Sequence, residues 1–145
     1  MVQSKNFLIL ILFMFSIVEY SKSQELKSIL HVEVVDHSSK ELTPVRVKIT
    51  DNQGHTTALP NEAISIMYGR NDKSEGYGYQ PDSSFYVDGK FTLHLKEGKY
   101  NMSFSKGMEY LDQIHTVELK KGKSEVRKIE MKRWINMADS GWYSA

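Results

Sequence analysis

The sequence predicts an all-β chain that folds as an antiparallel β-sandwich of about seven short strands. Apolar and polar residues alternate with a period of two in several windows, which is typical of sheets with one buried and one solvated face. Turn signals that contain glycine separate these windows. No window before residue 132 combines helical periodicity with capping residues, so the body of the chain is expected to consist of strands and turns.

Six strands are predicted individually from this alternation. In chain order they occupy residues 30–34, 45–50, 91–96, 100–105, 114–119 and 126–131. Gly98 is expected to permit a turn after which Tyr100 packs on Phe91 and Leu93. Three pairs of a polar residue and a glycine are predicted as tight turns between antiparallel strands, because glycine tolerates positive φ: Asp88-Gly89, Glu97-Gly98 and Lys121-Gly122.

Residues 1–23 have the features of a secretory signal peptide. Lys5 precedes an apolar run over residues 7–18, and a polar stretch with small residues leads to a predicted cleavage site after Ser23. The alternative is a membrane anchor, but about a dozen apolar residues fall short of the ~20 that a membrane-spanning helix needs. We therefore expect a secreted or periplasmic protein that has no membrane association after cleavage.

The rest of the chain is expected to form one β-sandwich domain over residues 24–132, followed by an aromatic connector over residues 133–145. Lys+Arg 19 against Asp+Glu 18 leaves the chain nearly neutral, which excludes the concentrated positive field that nucleic-acid binding needs. The absence of cysteine excludes a disulfide framework and favours a bacterial periplasm or exterior.

The residues that could carry catalysis are scattered along the chain. No serine lies in a G-x-S-x-G setting, and no paired carboxylates stand out. We therefore expect no catalytic site, no metal site and no cofactor in this chain, and a role other than that of an enzyme. The five histidines show no H-x-H or H-E-x-x-H spacing: His31, His37, His55, His94 and His115.

A long loop between residues 68 and 86 interrupts the alternation. Loops of this length in compact domains are often functional, and tyrosines beside polar residues suit a sugar or a partner protein. The alternative is that the aromatic residues cover one end of the sandwich or dock on a neighbouring domain. The candidate binding residues are Tyr68, Arg70, Tyr77, Tyr79 and Tyr86.

The two tryptophans of the chain lie in the connector, in a segment too short to form a core of its own. Burying each would gain about 2–3 kcal/mol, so a partner surface is expected for them. The candidate interdomain docking residues are Arg133, Trp134, Gly141, Trp142 and Tyr143.

This connector resembles a junction in the carbaryl-hydrolase (CehA/McbA) branch of the PHP-superfamily metallohydrolases. There an R-W…G-W-Y-S-G stretch leads into a D-x-H-x-H strand of the catalytic barrel, and this chain matches from Arg133 to Ser144. The resemblance implies that the chain is the N-terminal sandwich of such an enzyme and that a catalytic barrel follows Ala145. Divalent metals are then expected only in that barrel.

The body of the chain resembles carboxypeptidase-regulatory-like and transthyretin-like sandwiches, which have an Ig-like architecture. The resemblance lies in a Pro-Val entry to a strand that ends in D-x-x-G, and in a G-x-F-x-L-x-L-x-x-G-x-Y stretch over residues 89–100. Residues 106–110 resemble an R-G-x-E-Y segment of metallohydrolase front domains, with lysine in place of arginine, which weakens bidentate pairing. The motif residues are Gly98, Tyr100, Gly107, Glu109 and Tyr110.

Two interpretations of Glu109 are open. In the first it pairs with Arg133 beneath Trp134 and braces the connector. In the second Glu109 and Tyr110 are an ordinary polar pair at the end of a strand.

Three functions follow from these observations. The first is a secreted, non-catalytic accessory domain of a PHP-type metal-dependent hydrolase, with the barrel as its partner. The second is an autonomous carboxypeptidase-regulatory-like module that recognises a glycan or a surface protein through the tyrosine loop. The third is a small transthyretin-like hydrolase, which the chain disfavours because it lacks the Y-R-G-S-type ending of that group.

Overall fold

The structure, a computed structural model, describes residues 26–69 and 76–142. These residues contain eight β-strands and one 3₁₀ turn. The predicted signal peptide and the predicted site residues Arg70 and Tyr143 lie outside these ranges. The strands are β1 Ser28–Asp36, β2 Val45–Asp51, β3 Ala63–Ile64, β4 Phe85–Val87, β5 Lys90–Leu95, β6 Gly98–Ser105, β7 Gln113–Leu119 and β8 Ser124–Met131; the 3₁₀ turn is Ala138–Ser140.

The strands form two sheets, one ordered β5-β1-β8 and the other β3-β4-β2-β6-β7. All pairings are antiparallel except that of β1 with β8, which is parallel and runs from Ile29 opposite Ser124 to Asp36 opposite Met131. The predicted all-β sandwich is confirmed. The smaller sheet is mixed where only antiparallel pairs were expected.

The apolar sides of both sheets face a common core. Leu30 of β1, Val47 of β2 and Phe104 of β6 are fully buried, as the alternation predicts. Phe85 of β4 meets Phe91 of β5 edge to face, with ring centroids 5.7 Å apart, so this aromatic pair links the two sheets.

The three glycine turns do not connect neighbouring strands of one sheet, contrary to the prediction. The turns before β5, before β6 and before β8 each join a strand of one sheet to a strand of the other. Positive φ lets the chain reverse in either case, so the local sequence does not distinguish a hairpin from a crossover. Tyr100 nevertheless lies in the same buried core as Phe91 and Leu93, and its hydroxyl donates to the Lys96 carbonyl over 3.1 Å.

Candidate functional site

The segment after β8 returns to the sandwich and pairs with residues 109–111. The Leu111 amide donates to the Lys132 carbonyl over 3.0 Å, and the Trp134 amide donates to the Glu109 carbonyl over 2.9 Å. Tyr110 and Arg133 form an isolated antiparallel bridge between these two bonds. The backbone of the predicted connector is therefore fixed to the sandwich at its first residues.

Side chains strengthen this attachment. Arg133 Nη2 lies 3.7 Å from Glu109 Oε2 and donates to the Tyr110 hydroxyl over 2.9 Å. The guanidinium also lies 5.1 Å from the centroid of the Tyr110 ring. The pairing of Glu109 with Arg133, which the first interpretation of Glu109 includes, is thus present.

Tyr110 connects the segment to the end of β1. Its hydroxyl donates to Asp36 Oδ2 over 2.8 Å, and the Ser38 and Ser39 amides donate to Asp36 Oδ1. The hydrogen bond from Tyr110, followed by that from the Ser39 amide, lowers the pKa of Asp36. Lys106 Nζ also lies 4.6 Å from the centroid of the Tyr110 ring. Tyr110 is therefore in contact with two cations and a carboxylate.

The remainder of the segment is held through Met137. Its amide donates to Glu109 Oε1 over 2.8 Å, and its carbonyl accepts from the Trp142 amide over 3.0 Å after the 3₁₀ turn. Gly141 follows that turn with φ of 77°, a left-handed conformation that reverses the chain toward Trp142.

The apolar side chains of this end remain in solvent. Met108 is 81% exposed, Trp134 61% and Trp142 69%, although the Trp134 indole nitrogen donates to the Met108 carbonyl over 2.8 Å. Met108 and Trp142 line a shallow depression of about 530 Å³, and Leu111 extends the apolar area. We call Met108, Leu111, Trp134 and Trp142 the terminal surface. A backbone anchored at several points thus presents four exposed apolar side chains.

The tyrosine loop divides into an exposed and a buried part. Tyr68 and Tyr77 are exposed, with ring centroids 5.7 Å apart, and Tyr77 exchanges two backbone hydrogen bonds with Ile66. The Tyr68 hydroxyl donates to Gln80 Oε1. These two rings form an exposed aromatic pair.

Two other predicted loop residues serve the fold. Tyr79 packs against Phe85 in the core, donates its hydroxyl to the Thr57 carbonyl, and has its pKa raised by burial. Tyr86 lies in β4 beside Arg46, whose guanidinium is 6.0 Å from its ring centroid. The predicted loop residues therefore do not form one common surface.

The histidines are spread over the sandwich. His31 contacts Thr92, His37 contacts Glu130, and the pairs of His55 with Asp51 and His115 with Gln113 lie elsewhere. In residues 26–69 and 76–142 no three His, Asp or Glu side chains come close enough to hold a metal ion. Within the same residues there is no helix of the length and apolarity needed to cross a membrane.

Three contributors to this end of the molecule were not predicted. Asp36 accepts a hydrogen bond from the Tyr110 hydroxyl, and Met108 and Leu111 supply much of the exposed apolar area. The sequence signal for Met108 and Leu111 is their position in a loop between two predicted strands, where a large apolar residue has no core to enter. Asp36 carries no such signal, since an aspartate after a strand is a common turn residue.

Comparison with known proteins identifies no family. No protein-family model and no curated protein matches the chain. Among the similar solved structures, two match over three quarters of this chain. Phospholipase PlaB from Legionella pneumophila has a TM-score of 0.42 and 13% identity over 75% of this chain and 25% of the phospholipase. GBS52, the minor pilin of Streptococcus agalactiae, has a TM-score of 0.39 and 18% identity over 76% of this chain and 45% of the pilin. This chain thus spans less than half of either protein.

Proposed function

We propose that the chain is a secreted, non-catalytic accessory β-sandwich that docks on a catalytic domain through the terminal surface. The observation that carries the proposal is the exposure of Met108, Trp134 and Trp142 on an anchored backbone. Large exposed apolar clusters on a soluble domain commonly mark sites of protein contact.

The physical case rests on the difference between a flexible tail and a fixed one. Covering each large apolar side chain of the terminal surface gains about 2–3 kcal/mol. The Glu109 carboxylate holds the Met137 amide and lies beside Arg133, so the segment is already ordered before a partner arrives. Docking then loses less conformational entropy than it would with a free tail.

The resemblance to PHP-type metallohydrolases suggests the partner. In that family the catalytic barrel follows the R-W…G-W-Y-S junction, and its bound metals activate water for hydrolysis. The proposal assigns the metals and the reaction to that barrel. This chain would position the barrel and cover part of its surface.

Fluorescence of single-tryptophan variants tests the proposal. In the purified chain, Trp134→Phe and Trp142→Phe should each leave one tryptophan with water-like emission and ready quenching by acrylamide. In a longer protein that contains both this chain and the barrel, the emission of each remaining tryptophan should shift to the blue, and acrylamide should quench it less. A solvent-shielded tryptophan in the monomeric chain alone would contradict the proposal.

Self-association supplies a second test with a matched control. At high concentration the chain should associate weakly through the terminal surface, and Met108→Ser should reduce this in sedimentation equilibrium. Ile114→Ser is the control, because Ile114 is 77% exposed on β7 but does not belong to the terminal surface. Equal effects of the two substitutions would count against a specific docking surface.

Secretion belongs to the same proposal. If residues 1–23 are a signal peptide, the exported protein should begin at Gln24 in amino-terminal sequencing. Retention of Met1 in the exported fraction would contradict cleavage.

A second candidate function rests on the exposed aromatic pair. Tyr68 and Tyr77 offer apolar ring faces for a glycan or a surface protein. On a glycan array, Tyr77→Ala should abolish binding, while Tyr86→Phe, in which the ring is kept, should not. An array without any bound glycan would remove the support for glycan recognition.

A further inference from the structure

The outer face of the five-stranded sheet brings two cations beside two serine hydroxyls. In the antiparallel register of β2 and β6, Arg46 lies opposite Ser105 and Lys48 lies opposite Ser103. All four positions alternate with buried core residues, so their side chains share the outer face. Together with Asp82 and Ser84 they line a pit of about 90 Å³, which we call the serine pit.

Arg46 is held in place at the wall of the serine pit. Its Nε donates to Ser84 Oγ over 2.6 Å, and its Nη2 lies 2.8 Å from Asp82 Oδ1. Ser84 is buried and donates its own hydroxyl to Asp82 over 2.7 Å. Hydrogen bonds from Ser84, together with the bond from Arg46, lower the pKa of Asp82 to about 2. Asp82 therefore stays ionised at neutral pH and orients the guanidinium.

Several donors of the serine pit have no partner within the described residues. Arg46 has five N–H groups and uses only some of them on Ser84 and Asp82. Lys48 and the hydroxyls of Ser103 and Ser105 make no hydrogen bond or ion pair to residues 26–69 or 76–142. The pit thus combines two positive charges, one compensated carboxylate and two hydroxyl donors.

We propose that the serine pit binds a tetrahedral oxoanion, the chemistry shared by phosphate and sulfate. The net charge of its lining is positive, since only one of the two cations is paired with a carboxylate. Guanidinium, ammonium and hydroxyl groups around one small pit can reach several oxygens of such an anion at once, and charge-assisted hydrogen bonds of this kind are the strong ones. A planar carboxylate, with two oxygens, would use fewer of these donors.

Titration followed by ¹⁵N-edited NMR tests this inference. Sodium phosphate, or sodium sulfate, replaces sodium chloride at a constant ionic strength of about 0.15 M, which keeps general screening unchanged. Saturable shifts are expected at the amides of Lys48, Ser103 and Ser105. Lys48→Gln should weaken binding about tenfold, the value of losing one charged hydrogen bond. Lys128→Gln, on an exposed position of β8 in the other sheet, should leave it unchanged.

The source of the anion is resolved by adding glucose 6-phosphate and glucose 6-sulfate as further probes. Binding tighter than that of the inorganic anions supports a ligand that carries the group on a sugar, and equal binding supports a free anion. Ser103→Ala and Ser105→Ala, which are small changes in half-buried positions, should each weaken the phosphate titration. The absence of saturable shifts when phosphate or sulfate replaces chloride would overturn the proposal. Equal effects of Lys48→Gln and Lys128→Gln on phosphate binding would overturn it as well.

Discussion

Replacement of Tyr110 by phenylalanine removes one hydroxyl at the junction between the C-terminal segment and β1. That hydroxyl donates to Asp36 Oδ2 over 2.8 Å and accepts from Arg133 Nη2 over 2.9 Å. The ring itself is buried in the core and is retained, so packing changes little. The two cations beside the ring keep an aromatic face in the variant.

The magnitude follows from the bond to Asp36, because Arg133 is exposed and water can replace its bond. A hydrogen bond to a charged group contributes about 1.5–3 kcal/mol. Asp36 is itself partly solvated, so water replaces part of the lost bond. We therefore expect Tyr110→Phe to lower the free energy of unfolding by about 1–2 kcal/mol.

Urea denaturation gives the global readout. With a slope of about 1–2 kcal/mol per molar urea, the unfolding midpoint should fall by about 1 M. Hydrogen exchange gives the local readout: protection of the Trp134 amide, which is bonded to the Glu109 carbonyl, should fall more than that of the core strands. The pKa of Asp36 should rise toward 3.8, because Tyr110 is the main cause of its lowering. Tyr86→Phe is the matched control, since the Tyr86 hydroxyl has no hydrogen bond within the described residues.

The result that would refute this reasoning is specific. If Tyr110→Phe stays within about 0.5 kcal/mol of the wild type, as surface substitutions do, the hydroxyl is not an anchor. Unchanged protection of the Trp134 amide would lead to the same conclusion.

Two further predictions concern the turn before β5 and the wall of the serine pit. Gly89→Ala should lower the free energy of unfolding by at least about 2 kcal/mol, which thermal melting measures. The reason is that Gly89 has a φ of +82° and that an added Cβ would lie 2.8 Å from Leu42 Cβ and from the Thr43 nitrogen. Ser84→Ala should raise the pKa of Asp82 from about 2 toward 3.8 in a carboxyl NMR titration. The lowered pKa stabilises the fold above pH 3.8 and the contribution is lost as pH falls through about 2, so the variant should lose this increment of acid resistance.

The alternating pattern was sufficient for the long strands. In β2, the alternation of Val45, Val47 and Ile49 with charged residues places the apolar set in the core, as the structure has it. β3 and β4 contain only two and three residues, so a period of two cannot be recognised in them. These two strands account for the difference between the six strands that were predicted individually and the eight found in residues 26–69 and 76–142.

Pairing could not be predicted from the same pattern. Gly98 permits the chain to turn before β6, but whether β6 then pairs with β5 or crosses to β2 depends on which apolar faces meet in the core. The parallel pairing of β1 with β8 joins strands from opposite ends of the domain, and no local signal encodes it. The strand order within the sheets therefore depends on tertiary packing, which the local sequence pattern does not contain.

The candidate sites were predictable in part. The pairing of Glu109 with Arg133 was one of two interpretations that the sequence left open, and the structure contains the pair. For the tyrosine loop, the sequence left open whether its aromatic residues bind a ligand or cover the end of the sandwich. Tyr79 has enough apolar surface to pack against the core, which separates it from the exposed Tyr68 and Tyr77. The serine pit was not predicted, because its residues come from β2, β6 and the loop before β4 and each resembles an ordinary solvated position in the sequence.

Determination of the coding DNA on the 3′ side of codon 145 tests the central claim most directly. An accessory domain of a PHP-type metallohydrolase requires a D-x-H-x-H sequence immediately downstream, in frame, followed by the rest of a catalytic barrel. We predict that this sequence is present. A stop codon directly after codon 145, with unrelated sequence beyond it, would contradict the account and leave the exposed aromatic pair as the site to investigate.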